Sequence, residues 1–337
     1  MSETLLARYA ECLFWLARYV ERVENLARIL DVNETFSRDS HGDQNWLSIV
    51  NLFADEGRFF ARHDSANART VLEFYVRDTG NPGSILAALR AARENARTLR
   101  PLISTEMWTQ LNVFCNRLNA LSPDDLAPGR RSRLFDEIKQ ACQTHAGITD
   151  GTLYQDQGWH FYEMGKYLER ADQTTRLLDM KYHLLLPRPT DVSSPLDVSQ
   201  WNALLRSAAG YHAYRRLHPR GISPTQVAGF LLLNKRFPRS VHLCIRQAES
   251  LLAGLQARYA LQGGRRAAEE LDGLRGLLDS LRIGEILAAG LHEFLDSVQL
   301  RLIVISADLS ANLFGVAPEP LQSQSQAAAT QRLTPSS

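Results

Sequence analysis

The 337-residue sequence predicts an all-α protein of about a dozen helices, built as a tandem duplication of a six-helix unit. Three observations carry this expectation. Apolar residues recur at three- and four-residue steps through most of the chain, as in Leu13, Leu16, Val20, Val23, Ala27 and Leu30, which is the stripe of a helix. Alternating strand patterns are nearly absent. One polar pattern also occurs twice without a gap. Tyr19-x-Glu21-Arg22-x5-Arg28-x-Leu30-Asp31 returns 148 positions on, from Glu21 to Glu169, as Tyr167-x-Glu169-Arg170-x5-Arg176-x-Leu178-Asp179.

In chain order the periodicity predicts helices over about 3–38, 43–62, 65–77, 82–100, 104–121 and 131–148. A second set follows over about 158–186, 198–217, 223–234, 238–258, 266–280 and 281–314. Asn81-Pro82 is the expected start of the fourth helix, with Asn as cap and Pro at the first helical position, where a missing N–H costs nothing. Pro187-Arg188-Pro189-Thr190 is expected to stop the long middle helix, since each proline drives its predecessor out of the α region. From about Ala317 the chain turns to Gln, Ser, Ala and Thr with little to bury, and residues 316–337 are expected to be a disordered tail.

The repeat extends past its first helix. Trp46 answers to Trp201, 155 positions on, and Pro82-Gly83-Ser84-Ile85 answers to Pro238-Arg239-Ser240-Val241, 156 positions on. The units are therefore residues 1–150 and 151–315, expected to form one integrated domain about a pseudo-two-fold axis. Two copies are too few for an extended solenoid.

Between the copies the charges have stayed while the apolar partners have drifted: Leu13 answers to Phe161, Leu16 to Met164 and Val23 to Ala171. A merely solvated face would drift faster than its core, and exposed pairs such as Glu24–Arg28 and Asp172–Arg176 contribute only about 0.3–0.5 kcal/mol each. Three readings of the polar face follow. It is a buried ionic network, where each charge must find a partner or cost several kcal/mol; a ligand or partner site; or an ordinary solvated face. For the site reading, arginine's fork of donors matches a carboxylate, and a neighbouring Glu and Tyr orient it or accept from an amine. The candidate binding residues are Tyr19, Glu21, Arg22 and Arg28 with Tyr167, Glu169, Arg170 and Arg176, suited to a carboxylate-bearing or zwitterionic amino acid or peptide end. Arg93 and Glu94, in a looser charge cluster, are further candidates against a solvated-face reading. Glu21 or Glu169 as a general base is the enzymatic alternative. Two arginines beside each argue against it, because positive charge lowers a carboxylate's pKa.

Other functions are disfavoured. Lys plus Arg (38) nearly cancels Asp plus Glu (37), so no basic field draws nucleic acid or anionic lipid. No run of eighteen apolar residues spans a membrane. Met1-Ser2-Glu3-Thr4 opens nothing like a signal peptide. Cys12, Cys115, Cys142 and Cys244 are scattered without a C-x-x-C pair and read as reduced, buried side chains of a cytoplasmic protein. His160 with Glu163 is a weak metal motif, since bundle sites need several such contributions, and neither a metal nor a cofactor is expected.

These residues resemble the bacterial alpha-E family, a predicted α-helical domain with a Glu-Arg motif. The likeness rests on Tyr19-Val20-Glu21-Arg22-Val23-Glu24-Asn25-Leu26-Ala27-Arg28, on Asn81-Pro82-Gly83-Ser84-Ile85 leading to Ala92-Arg93-Glu94-Asn95-Ala96-Arg97, on Tyr167-Leu168-Glu169-Arg170 and on Phe237-Pro238-Arg239-Ser240-Val241, and it covers about residues 1–315. Members of that family stand beside, or are fused to, circularly permuted ATP-grasp proteins and transglutaminase-like peptidases. The resemblance therefore implies an accessory role with an ATP-grasp-type ligase in peptide modification or amide ligation. A sheetless chain cannot itself bind ATP in the ATP-grasp manner. A pure scaffold is the remaining alternative.

Overall fold

The computed structural model describes residues 5–39, 46–184 and 195–315. Met1–Thr4, the prolines at 187 and 189, and the tail at 316–337 lie outside the described residues. Within them the chain is helical with no strand. The first half comprises α1 (Ala7–Asp39), α2 (Leu47–Leu52), α3 (Glu56–Phe60), α4 (Ala68–Leu72), α5 (Ile85–Thr98), α6 (Thr105–Asn119) and α7 (Arg131–Thr152). The second comprises α8 (Gln157–Leu184), α9 (Pro195–Ser207), α10 (Tyr211–Leu217), α11 (Pro224–Leu233), α12 (Val241–Tyr259), α13 (Arg265–Ser280), α14 (Ile283–Ala289) and α15 (Leu291–Leu313).

The excess over a dozen comes from three breaks inside expected helices, each at a residue with positive φ. Ala54 (φ 49°) separates α2 from α3, Ala209 (φ 54°) separates α9 from α10, and Gly290 (φ 112°) separates α14 from α15. A left-handed residue ends a helix by redirecting the chain while the apolar period continues across it, so periodicity alone reads straight through. The expected cap at Asn81-Pro82 is also displaced. Ser84 caps α5, its Oγ accepting from the Ala87 amide at 3.1 Å, while buried Asn81 braces the preceding turn by donating to the Phe74 carbonyl at 3.1 Å. Asn and Ser both compete for helix starts, and here the Ser wins because the Asn is used in the turn.

α1 and α8 pack along each other at the centre. α5 and α7 flank α1, and α12 and α15 flank α8, with α6 against α5 and α13 against α12. The closest approach is at Gly165, where a Cβ would lie 2.3 Å from the Phe14 carbonyl oxygen. Leu13, Phe14 and Leu16 of α1 and Met164 and Leu168 of α8 are buried in the same contiguous core. That centrality changes the meaning of the polar arc. On an outer helix it would face water; here Arg18, Glu21, Glu24, Asn25 and Glu169 are all buried, Glu169 completely. The solvated-face reading of the Glu-Arg helices is thereby corrected.

Candidate functional site

The two Glu-Arg pairs meet across the α1–α8 contact, each glutamate taking the other helix's arginine. Arg22 donates twice to Glu169, Nε to Oε1 at 2.8 Å and Nη2 to Oε2 at 3.0 Å. In return Arg170 Nε lies 2.9 Å from Glu21 Oε2, an ion pair whose angle falls outside hydrogen-bond geometry. Helical spacing makes the exchange possible. Residues four apart share a face, so Arg18 joins Arg22, Asn25 joins Glu21 and Gln173 joins Glu169. The amides repeat one another's role: Asn25 donates to Glu21 at 3.3 Å and Gln173 donates to Glu169 at 3.1 Å.

Each glutamate has a second arginine, and here the halves diverge. Glu21 is met by Arg239, which immediately precedes the Ser240 cap of α12. The same guanidinium donates to Asn25 Oδ1 at 2.8 Å and lies 3.1 Å from Glu24, which also accepts from Arg28. Thr174 holds it in place by donating to the Arg239 carbonyl at 2.8 Å. Glu169 instead takes Arg18 Nε at 2.8 Å, with Arg18 Nη1 anchored on Ser306 of α15 at 2.9 Å. Lys166, which corresponds to Arg18 in the second copy, turns away to Glu163. Burial pushes both glutamates' pKa up, but Arg170 with Arg239, and Arg22 with Arg18, overcome this and hold each at about 2. Both therefore stay ionised until the pH approaches 2 and are poor proton acceptors, which disfavours the general-base alternative.

On the Glu169 side the network borders a half-open cleft of about 520 Å³ between α1, α8, α15 and the α2–α5 connection. Arg18, Arg22, Arg58 and Arg176 line it with Asp55 and Asp172. Aromatic faces stiffen the arginines: Arg18 lies 5.0 Å from the Trp15 ring and Arg22 5.8 Å from the Tyr19 ring. Asp172 accepts from Arg176 at 2.8 Å. Asp55 pairs with Arg58 and accepts from the Tyr75 hydroxyl at 3.0 Å, and burial nevertheless raises its pKa. Among the described residues no acceptor meets Arg18 Nη2, Arg22 Nη1, Arg58 Nη1 or either Nη of Arg176. Spare guanidinium donors around this cleft, beside apolar walls such as Leu26, Leu168 and Ile303, are suited to a carboxylate on a small organic ligand.

Of the residues singled out from sequence, Tyr19, Arg22 and Arg176 line this cleft and Glu169 lies behind Arg18 and Arg22. Glu21, Arg28, Tyr167 and Arg170 belong to the opposite side of the network and do not line it. Arg93 and Glu94 are remote, on the α5–α6 surface. Arg93 donates to Asn112 at 2.8 Å and packs over Trp108, and Glu94 is half exposed between Arg93 and Arg97. Arg58, Asp55 and Arg239 escaped the sequence reading of the site. Arg58 and Asp55 carry no repeat signal, whereas the Gly83/Arg239 mismatch was a visible one.

The metal motif dissolves in the structure: His160 engages the Asp156 carbonyl and Glu163 pairs with Lys166. A different trio could hold a cation, Asp179, His292 and Asp296, whose ligand atoms lie within 4.8 Å of one another. His292 there already bonds Asp179 at 2.7 Å, which explains the trio as a hydrogen-bonded contact between α8 and α15. All four cysteines are buried and free. No described helix is long and apolar enough to cross a membrane.

Comparison with known proteins agrees with this architecture. Relatives include uncharacterized proteins of Mycobacterium bovis and Mycobacterium tuberculosis, 25% identical over 280 residues that cover 77% of this chain and 31% of each relative. The chain thus spans about a third of the length of the curated relatives it matches. No solved structure matches it. The family model described as "a predicted alpha-helical domain with a conserved ER motif" matches residues 5–314, a span that includes Glu21-Arg22 and Glu169-Arg170, so the chain belongs to the Alpha-E family.

Proposed function

We propose that this protein is a binding component that holds a carboxylate-bearing amino acid or peptide and presents it to an ATP-grasp-type ligase in a peptide-modification or amide-ligation system. The observation that carries the binding half is the cleft itself: four arginines with spare donors converge on about 520 Å³ of partly apolar volume. The ligase half rests on the family resemblance. The longer relatives leave room for a further module on the same chain, as a fused partner would need. The low basicity of Glu21 and Glu169 favours a presenting role over an enzyme of its own.

The test has two arms. Titration calorimetry of the full chain with glutarate is expected to give saturable binding that Arg58→Ala weakens at least about tenfold, the effect of one lost charge-assisted contact. Gel filtration with an ATP-grasp-type protein from the same source is expected to give a joint peak. A folded chain that binds no carboxylate removes the first half, and separate elution of two folded proteins removes the second. The reciprocal pairing of Glu21 with Arg170 and Glu169 with Arg22 supports a second, compatible reading, in which those four residues act as the lock between the halves of the molecule.

A further inference from the structure

The cleft occupies the place that Arg239 fills in the other half. Ser84 and Ser240 cap α5 and α12 in the same way, each Oγ accepting from the amide three residues on, at 3.1 and 3.2 Å. The residue just before the cap is Arg239 in one case and Gly83 in the other. Arg239 sends its guanidinium into Glu21, Asn25 and Glu24. The residues 148 positions on from those three are Glu169, Gln173 and Asp172. At Gly83 a Cβ would meet only Asn81 Oδ1, at 3.3 Å, and Gly83, Asp172 and Gln173 all line the cleft.

The acceptors on this side are still oriented for a cation. Gln173 holds its amide on Glu169 as Asn25 holds its own on Glu21, which leaves the Gln173 carbonyl oxygen in the role of the one that accepts from Arg239. Neither Gln173 Oε1 nor Asp172 Oδ1 accepts a hydrogen bond among the described residues. Charge decides what fits. Arg18 already supplies Glu169 with the second arginine that Arg239 supplies to Glu21, so a bare cation would crowd an arginine-rich wall. A bare anion would satisfy the arginines and leave Asp172 Oδ1 and Gln173 Oε1 without a donor. A group bearing both charges meets both sets without changing the net charge of the site.

We infer that the cleft selects a zwitterion, an amino acid or short peptide with both termini free. Its ammonium group takes the place beside Asp172 and Gln173 that the Arg239 guanidinium takes beside Glu24 and Asn25. Its carboxylate meets the spare donors of Arg22, Arg58 and Arg176. Gly83 is the residue that opens the site. The inference rests on the carboxylate-binding reading above and adds the cationic half of the ligand.

Calorimetry of the full chain with three probes tests it: alanylalanine, its N-acetyl form, which lacks the cation, and its amide, which lacks the anion. The unblocked dipeptide is expected to bind at least about tenfold tighter than either blocked form, as a charge-assisted hydrogen bond at each end requires. Gly83→Arg places a guanidinium in the cleft and is expected to abolish binding, with far-UV circular dichroism showing that the chain is still folded. Asp172→Asn, which keeps the side chain's shape, is expected to bring the unblocked dipeptide down to the level of the N-acetyl form. If the N-acetyl form binds as tightly as the unblocked one, the zwitterion inference is overturned while carboxylate binding survives. If none of the three binds, both fall. Undiminished binding by a folded Gly83→Arg chain, or by the Asp172→Asn chain, overturns the placement at Gly83.

Discussion

Around Glu21 and around Glu169 the same side chains are put to two different ends. Each glutamate is buried, gripped by two arginines and touched by an amide four residues on. The Glu21 side is finished from within, because Arg239 arrives from the start of α12, donates to Glu21 and Asn25 and pairs with Glu24. The Glu169 side is finished only in charge: Arg18 supplies the second arginine from its own helix, and the volume facing Gly83 remains a cleft. The difference teaches that a repeated pattern can be closed from within at one copy and left open as a cleft at the other, with Arg239 before one helix cap and Gly83 before the other.

The comparison is broken most forcefully at its centre. Glu21→Gln and Glu169→Gln each strip the countercharge from two arginines, and each is expected to cost about 3–5 kcal/mol in denaturant unfolding. Equal losses are expected on the two sides; a loss under about 1 kcal/mol on either would show that the pair there is not buried ionic structure.

Acid should erase the same contribution without a substitution. Both glutamates have a folded-state pKa near 2, below the ordinary carboxyl value of 4.5. Their stabilisation is thus fully present above about pH 4.5 and lost as pH falls towards 2. His145 adds a separate phase. It is buried, bonded at Nδ1 to Gln110 at 3.1 Å with no partner at Nε2, and burial lowers its pKa to about 4. The unfolded chain takes up that proton from about pH 6.5, so stability declines between 6.5 and 4. Thermal melts across pH 2–8 should resolve both phases, and His145→Gln should remove only the upper one.

Between these two sides runs the α1–α8 contact, and Gly165→Ala probes it. In most helix interiors this change stabilises by up to about 1 kcal/mol. Here the added Cβ meets the Phe14 carbonyl, and a loss of roughly 1–3 kcal/mol is expected in chemical denaturation. Arg58→Ala is the mildest: it leaves the buried Asp55 with the Tyr75 hydroxyl and a carboxyl that burial already biases toward the neutral form, so a loss of about 1 kcal/mol is expected while carboxylate binding weakens.

Much of this was legible beforehand. Helical class follows from the period of Leu13 through Leu30, and the suspicion that Glu21, Arg22, Glu169 and Arg170 have a geometric duty follows from their persistence beside changed apolar neighbours. The breaks at Ala54 and Ala209 were not legible, because an alanine with positive φ has no compositional mark; Gly290 did carry the mark of a helix end, but the apolar rhythm runs on across it. Nor was the contribution of Asp55 and Arg58. They come from the start of a short helix with no periodic signal, and only the cleft that Asp55 and Arg58 share with α1 and α8 residues turns an ordinary i,i+3 pair into part of its wall.

Local sequence determined which segments are helices and which charges recur, since both depend on spacing within one turn of chain. Tertiary structure decided which of those charges are buried, which glutamate each arginine serves and which copy stays open. Those outcomes depend on groups more than a hundred residues apart, Arg18 with Glu169 and Arg239 with Glu21, whose energies exist only once water has been excluded between the packed helices.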